Sequence, residues 1–370
     1  MISVKHQTLT SPLQWAEEAC KSLMKTYKPD QLPPANRWHY HQGVFLVSMQ
    51  ELYEQIGDEA YYEYSKAYVD HLVDEEGNFL FNRSELDAIQ AGLLLFSLHR
   101  RTGDTRYKKA ADKLISMFPT FNTTKEGGFW HKDRYPYQMW LDGLYMGGVF
   151  AMNYEREFGG EGLLEMVLYQ EKLMRKYTQD TETGLFYHAW DESKKQRWAD
   201  PETGRAPEFW GRAIGWYGIT FNEILHFLPE NDPRRTELIE SLEFLIEGLI
   251  RFQDDETGLW HQVVDKGEQP DNWLETSCSS LFIYTIARAM NDGHIGHQYR
   301  NHVIKAFRGL LRKMKFTEDG RFVMPDICIG TGVGDYKHYI EREKCQNDLH
   351  GVGSFVLACI QMQRLLPNLI

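Results

Sequence analysis

Residues 173–188, Leu173-Met-Arg-Lys-Tyr-Thr-Gln-Asp-Thr-Glu-Thr-Gly184-Leu-Phe-Tyr-His188, are echoed by residues 249–262, Leu249-Ile-Arg-Phe-Gln-Asp-Asp-Glu-Thr-Gly258-Leu-Trp-His-Gln262. Each copy ends an apolar-periodic helix, turns through acidic residues to a glycine, and leaves as a short aromatic, strand-like stretch. Looser copies lie at Asp74-Glu-Glu-Gly77-Asn-Phe-Leu80, Lys125-Glu-Gly-Gly128-Phe-Trp-His131 and Glu318-Asp-Gly320-Arg-Phe-Val323. The glycine permits a positive φ, and Asp and Glu favour turn conformations. Recurrence of one unit along a chain marks a repeat architecture.

Outward from these turns, two kinds of helix alternate. One kind opens on polar or aromatic residues and then becomes almost wholly apolar: 38–56, 86–100, 139–154, 210–227, 273–290 and 349–366. Helices apolar on most faces are buried ones. Small residues within them (Gly92, Gly143, Gly147, Gly148, Gly351, Gly353) suit close helix approach. The other kind is amphipathic: 13–27, 60–73, 105–117, 163–177, 235–252 and 299–314. An inner ring of buried helices inside an outer ring of half-exposed ones satisfies both patterns. The expected fold is all-α, an (α/α)6 barrel. No Pro/Gly/Ser linker or low-complexity tract divides it, so residues 1–370 are expected to form a single catalytic domain.

Composition narrows the function. The formal net charge is −12. Nucleic-acid binding, which needs a basic surface, is therefore not expected. The N-terminal stretch Met1-Ile-Ser-Val-Lys-His-Gln-Thr-Leu-Thr10 has no long apolar run. Neither a signal peptide nor a membrane anchor is expected, which points to the cytoplasm. The five cysteines include no CxxC pair, as for reduced thiols. Histidines lack ligand spacing, so no metal or cofactor is expected. No Walker A, Rossmann or HExxH pattern is present.

In such a barrel all inner helices run the same way, and their N-termini share one face. That face suits anionic ligands through its free N–H groups and helix-end potential. Trp38, His39, Tyr40, His41, Asp87, Gln138, Asp142, Arg212, Trp216, Glu275, Asn347, Asp348 and His350 fall there. Asp142 lies between apolar and aromatic neighbours, and desolvation would raise its pKa toward that of a general acid. The alternative reading is a helix N-cap. Asp87 holds the corresponding position one inner helix earlier, with the same alternative. Arg212 suits bidentate binding of a carboxylate, or an ion pair with Glu208 one turn back. Trp38, Tyr40, Trp190 and Trp216 suit either sugar stacking or the core.

Long stretches at these positions closely resemble the unsaturated rhamnogalacturonyl hydrolases, glycoside hydrolase family 105. They are Asn36-Arg-Trp-His-Tyr-His-Gln-Gly43, Glu85-Leu-Asp-Ala-Ile-Gln-Ala-Gly92, Gly127-Gly-Phe-Trp-His-Lys-Asp133 and Tyr135-Pro-Tyr-Gln-Met-Trp-Leu-Asp-Gly-Leu-Tyr-Met-Gly-Gly148. Gly184-Leu-Phe-Tyr-His-Ala-Trp-Asp191, Pro207-Glu-Phe-Trp210, Arg212-Ala-Ile-Gly-Trp-Tyr217, Asp271-Asn-Trp-Leu-Glu275 and Asn347-Asp-Leu-His-Gly351 continue it. The resemblance implies the same barrel. It also implies a small oligosaccharide substrate, in which a 4,5-unsaturated galacturonic acid is joined to rhamnose. It makes Asp142 the general acid and Asp87 the second catalytic carboxylate. Trp38, His39, Tyr40, His131, Lys132, His188, Arg212 and Trp216 would line the sugar subsite, with Gly332 adding backbone N–H contacts. The chain is expected to act as a monomer or weak homo-oligomer. Hydrolases of unsaturated glucuronyl fragments and N-acyl sugar epimerases are the alternatives on one barrel; a non-catalytic helical scaffold is another.

Overall fold

Each repeat turn is closed by a glycine in the left-handed region: Gly77, Gly127, Gly184, Gly258 and Gly320 have φ between 70° and 83°. In the Lys125–Trp130 copy the residue is Gly127, not its neighbour Gly128. Asp180 N donates to Leu185 O and Asp254 N to Leu259 O, both at 2.9 Å, which makes each turn a small hairpin. The Asp side chains tie the turn from inside. Asp180 accepts from Thr183 N at 2.9 Å, and Asp254 from Thr257 N at 2.7 Å.

The structure is a computed structural model that describes residues 9–80 and 84–366. Residues 1–8, read above as free of an apolar run, lie outside the described residues. Twelve long helices alternate between outer and inner positions. They are α1 (Pro12–Thr26) and α2 (Tyr40–Ile56), then α3 (Glu59–Leu72) and α4 (Leu86–Ile89, a 3-10 turn Gln90–Gly92, Leu93–Thr102). Next come α5 (Thr105–Ile115) and α6 (Leu141–Gly143, a π turn Leu144–Gly148, Val149–Phe158), then α7 (Leu163–Thr178) and α8 (Gly211–Phe227). The last are α9 (Arg234–Arg251) and α10 (Thr276–Asn291), α11 (Arg300–Lys313) and α12 (Leu349–Leu365). The even-numbered helices pack in sequence, and α12 returns to α2. The ring is closed, as an (α/α)6 toroid requires.

Inner-to-outer corners use a repeated Gly-Asp pair. Gly57 and Gly103 end α2 and α4 at φ 75° and 68°. Asp58 and Asp104 then cap α3 and α5 by accepting from Ala60 N and Arg106 N. The glycine terminates one helix and the aspartate starts the next. In the inner ring, a Cβ on Gly353 would lie 2.8 Å from the backbone of Phe45, so α12 and α2 touch main chain to main chain.

Some expected boundaries shift. The first inner helix begins at Tyr40 rather than Trp38, and the fifth at Thr276 rather than Trp273. Residues 139–140, expected to open the third, belong instead to the strand Gln138–Trp140, which pairs with Ala189–Asp191. That pairing delays the helix to Leu141. Among the described residues no helix is long and apolar enough to cross a membrane.

The turns dock the hairpins onto one another. A Cβ on Gly184 would meet Phe244 O of α9 at 2.3 Å, and one on Gly258 would meet Ala306 N of α11 at 2.9 Å. Gly184→Ala should therefore cost more than the ~1–2 kcal/mol of a left-handed alanine. Gly57→Ala is the comparison, since its φ is 75° and nothing lies within 4 Å of the added carbon. Urea denaturation should place Gly184→Ala at least about 1 kcal/mol below Gly57→Ala. Equal losses would show that the turn does not bear on α9.

Candidate active site

The strand Gln138–Trp140 pairs with Ala189–Asp191, Met139 opposite Trp190. Trp140 is extended (φ −117°, ψ 145°), and the chain turns into α6 directly after it. Asp142 thus lies in the first helical turn, where the helix end favours negative charge. The π turn that follows adds one residue to the helical circuit, a feature common at functional sites. Asp87 enters from the first turn of α4, and His39 and Tyr40 from the start of α2.

These residues meet in a cavity of about 270 Å³ at the N-terminal face of the inner ring. A long arm between α11 and α12 roofs it. Its base is the pairing of Ile327–Cys328 with Lys344–Cys345, and it carries a short helix, Tyr336–Ile340. Arg212 pins this arm: Nη1 donates to Cys328 O at 2.5 Å and Nη2 to Ile329 O at 2.9 Å. The N–H groups of Gly330, Thr331 and Gly332 donate to no protein acceptor among the described residues.

The two carboxylates have opposite surroundings. Asp87 is 5% exposed and is hydrogen-bonded by Lys132. His131 Nε2 stands 3.5 Å from it and His39 Nε2 3.8 Å. Burial opposes its ionisation, but the charges of His131, Lys132 and His39 and the Lys132 hydrogen bond outweigh it. Its pKa lies well below the usual carboxylate range. Burial also pushes His39 down to about 3 and His131 to about 4, against the pull of Asp87. Asp142 instead faces His188, Nε2 to Oδ2 at 3.3 Å. Both atoms are buried and hydrogen-bonded to nothing. Burial would raise the Asp142 pKa, but the contact and charge of His188 and the charge of His131 outweigh it, and the net shift is downward. The raised value expected from the flanking residues is therefore not what the structure gives. His188 is itself lowered by burial. Its Nδ1 lies 2.7 Å from Tyr339 Oη, which accepts from Gly334 N at 3.3 Å. With that N–H donated to it, the tyrosine proton can go to Nδ1, and Nε2–H then points at Asp142.

The family model of Glycosyl Hydrolase Family 88 matches residues 15–366. The chain is 30% identical over 305 residues to the unsaturated rhamnogalacturonyl hydrolase YesR of Bacillus subtilis, covering 80% of each protein. A solved glycoside hydrolase of family 105 from C. acetobutylicum superposes with a TM-score of 0.89 at 32% identity, covering 94% of this chain and 99% of that one. The unsaturated glucuronyl hydrolase of Bacillus sp. GL1 has a TM-score of 0.72 at 13% identity, covering 97% of each chain, a likeness of fold alone.

The chain belongs to Glycosyl Hydrolase Family 88.

For this family 88 glycoside hydrolase, nine of the residues expected at the site line the cavity: His39, Tyr40, His41, Asp87, His131, Lys132, Asp142, Arg212 and Gly332. His188 stands behind Asp142. Trp38 and Trp216 do not reach the cavity. Trp38 stacks on Tyr68 and donates Nε1 to Ala88 O at 2.9 Å; Trp216 stacks on Tyr145 at 4.8 Å. Each is 1% exposed, so both are core side chains that brace the helices bearing the site. Trp190 likewise stacks on Tyr177. Glu275 caps α10 and accepts from Cys328 N at 2.8 Å, while Glu208 pairs with Lys266 rather than Arg212.

Arg37, Glu85, Arg134, Tyr135, Trp140, Trp210, Thr331 and Arg342 also line the cavity and were not singled out from the sequence. Arg37 and Arg134 adjoin motif residues, which was the available signal. Arg342 sits in a charged stretch that reads as a solvated surface. Two clusters bring three possible metal donors together: His41, Asp348 and His350, and His39, Glu85 and Asp87. In the first, Asp348 Oδ1 lies 2.8 Å from His41 Nδ1 and 2.6 Å from His350 Nδ1, so proton donation accounts for it. In the second the Lys132 ammonium already occupies Asp87.

Arg212→Lys keeps the charge but loses the two-pronged grip on the arm. It should cost about 1.5–3 kcal/mol, the worth of charged hydrogen bonds. Hydrogen exchange of residues 328–334 should accelerate while that of the α10 core stays unchanged. Unaltered exchange in the arm would disprove the clamp.

Proposed function

We propose that this enzyme removes a 4,5-unsaturated galacturonic acid from the non-reducing end of rhamnogalacturonan fragments, by protonating and hydrating the C4=C5 vinyl ether. The observation that carries the reading is the pairing of Asp142 with a titratable partner, His188, in a cavity whose roof offers unpaired N–H groups. The name of the Bacillus subtilis relative supports the substrate class. A uronate carboxylate suits the free N–H groups of the 330–332 loop and the charge of Arg212.

In the proposed reaction Asp142 gives its proton to C4. Positive charge develops at C5 and the ring oxygen. Water, deprotonated by the Asp142 carboxylate, adds at C5 and restores the acid. The resulting hemiketal opens and releases the aglycone sugar. Asp87, held ionised by Lys132, orients the water or a sugar hydroxyl. At neutral pH the buried imidazoles of His131 and His188 are uncharged, so the contact with His188 Nε2 is what still lowers Asp142. Burial, the charge of Asp87 and the incoming carboxylate remain, and all three favour the protonated acid. The reacting bond is a double bond rather than the glycosidic linkage itself, so the carboxylate spacing carries no stereochemical meaning. The five cysteines are free thiols, four of them buried, which supports placing the enzyme in the reducing cytoplasm as a single catalytic domain.

Unsaturated galacturonyl-rhamnose should lose the absorbance of its conjugated carboxylate on mixing with the enzyme, with rhamnose released. Asp142→Asn should slow this by about 10²–10⁴-fold, the usual worth of a general acid. An unchanged band with the wild-type enzyme would sink the substrate assignment, and loss of the band with unsaturated glucuronyl fragments instead would redirect it.

The protonated fraction of Asp142 falls as pH rises through its value in the complex. The turnover number should therefore decline on the alkaline side, and the decline should reflect one proton. A pH profile flat well into the alkaline range would rule out Asp142 as the acid.

A further inference from the structure

The cavity is cationic although the protein is acidic. The chain has 53 Asp and Glu against 41 Lys and Arg. Yet the lining holds Arg37, Lys132, Arg134, Arg212 and Arg342 against Glu85, Asp87 and Asp142. Two of the five cations are committed. Lys132 is hydrogen-bonded to Asp87 and stands 3.7 Å from Glu85. Arg212 is 2% exposed, grips the arm and has Glu275 at 3.8 Å.

The other three differ. Among the described residues none of Arg37, Arg134 and Arg342 has a carboxylate within ion-pair distance. Several other surface arginines of this acidic chain do find one, as in Arg100–Glu157, Arg101–Glu59, Arg234–Glu165 and Arg364–Asp292, while Arg205, Arg251 and Arg300 donate to backbone carbonyl oxygens. The Nε atoms of Arg37 and Arg342 are buried and donate to nothing. Arg342 spends one Nη on Gly330 O, and the Arg134 guanidinium lies over the Tyr135 ring at 4.9 Å. The three reach the mouth from separate segments: the approach to α2, the loop before α6 and the roofing arm. Tyr135 lies among them, stacked on Trp140 at 4.8 Å.

We infer that Arg37, Arg134 and Arg342 form a second anion subsite at the cavity mouth, which takes the carboxylate of an acidic sugar beyond the cleaved bond. This rests on the function proposed above. With the unsaturated uronate in the depth, the neutral sugar next to it lies against Tyr135. The following residue of an alternating acidic polymer then brings a carboxylate to the arginines. Guanidinium groups bind carboxylates with charge-assisted, paired hydrogen bonds, and partial burial limits screening. The preferred substrate is accordingly a fragment with an acidic residue two sugars from the unsaturated end, not the disaccharide.

The test compares kcat/KM for three substrates: the unsaturated disaccharide, the tetrasaccharide carrying a second galacturonate, and that tetrasaccharide with the internal carboxylate reduced to the alcohol. The acidic tetrasaccharide should exceed the other two by about tenfold or more, and the gap should narrow as salt is raised. Arg134→Gln, at an exposed side chain that contacts the Tyr135 ring and pairs with no carboxylate among the described residues, should lower kcat/KM for the acidic tetrasaccharide several-fold more than for the disaccharide. Arg37→Gln should do the same. Equal kcat/KM for the acidic and reduced tetrasaccharides, or equal losses on all substrates in both variants, would overturn the subsite while leaving the function intact. If no unsaturated galacturonyl substrate is turned over, the function itself fails. Calorimetric titration of saturated galacturonate-containing tetrasaccharide then decides the subsite: Arg134→Gln weakens binding if it exists and leaves it unchanged if it does not.

Discussion

The seating of a turn glycine on the backbone of the next outer helix sets the spacing of neighbouring hairpins at three places in the ring. Gly184 lies against Phe244 O, Gly258 against Lys305 and Ala306, and Gly77 against Lys109 and Ala110. Each contact links the end of one outer helix to the middle of the following one. No side chain intervenes, so the spacing between neighbouring hairpins is set by main-chain geometry. Repetition of that spacing closes the ring and gives all inner helices one direction. The N-terminal cavity follows, because six helix starts and the loops before them must share a face. The acidic turns and their glycines lie in those loops, between an outer helix and the inner helix that follows.

That logic explains why the fold could be read from the sequence. The turn signature favours glycine, which adopts positive φ without the strain a Cβ brings. The two helix classes differ in how much of their circumference is apolar, and burial follows that difference closely: α8, α10 and α12 are buried along most of their length. Helix boundaries at the site were less accessible. The residues Gln138–Trp140 carry no strong strand pattern, and they become a strand because Ala189–Asp191 is brought beside them. The 3-10 and π turns in α4 and α6 have the same origin in tertiary packing.

The site was partly readable. Charged and polar residues preceding apolar helices mark the cavity, and His39, Asp87, Asp142 and Arg212 were found this way, while His131 and Lys132 came from the family resemblance. Tryptophans misled, since the same ring serves a sugar or a core. Trp38 and Trp216 are turned inward, while Trp140 and Trp210, inconspicuous in the sequence, face the cavity. Tyr339 could not be anticipated. It reaches His188 from 151 residues away, on an arm whose path depends on the Arg212 clamp.

The contrast between the two carboxylates gives the site its division of labour. Asp87, hydrogen-bonded by Lys132, is held well below the usual carboxylate range and stays ionised across the working pH range. Asp87 is thereby removed from proton transfer and left as a fixed negative charge. Asp142 has a neighbour whose own charge burial suppresses and whose tautomer Tyr339 governs. Its protonation state can change with what enters the cavity. An arriving carboxylate repels the Asp142 anion, and Asp87 adds to that repulsion from within. In the proposed reaction the substrate's own charge therefore helps to protonate the acid that attacks its double bond. Two groups of the same chemical type acquire different tasks because one is paired with lysine and the other with histidine.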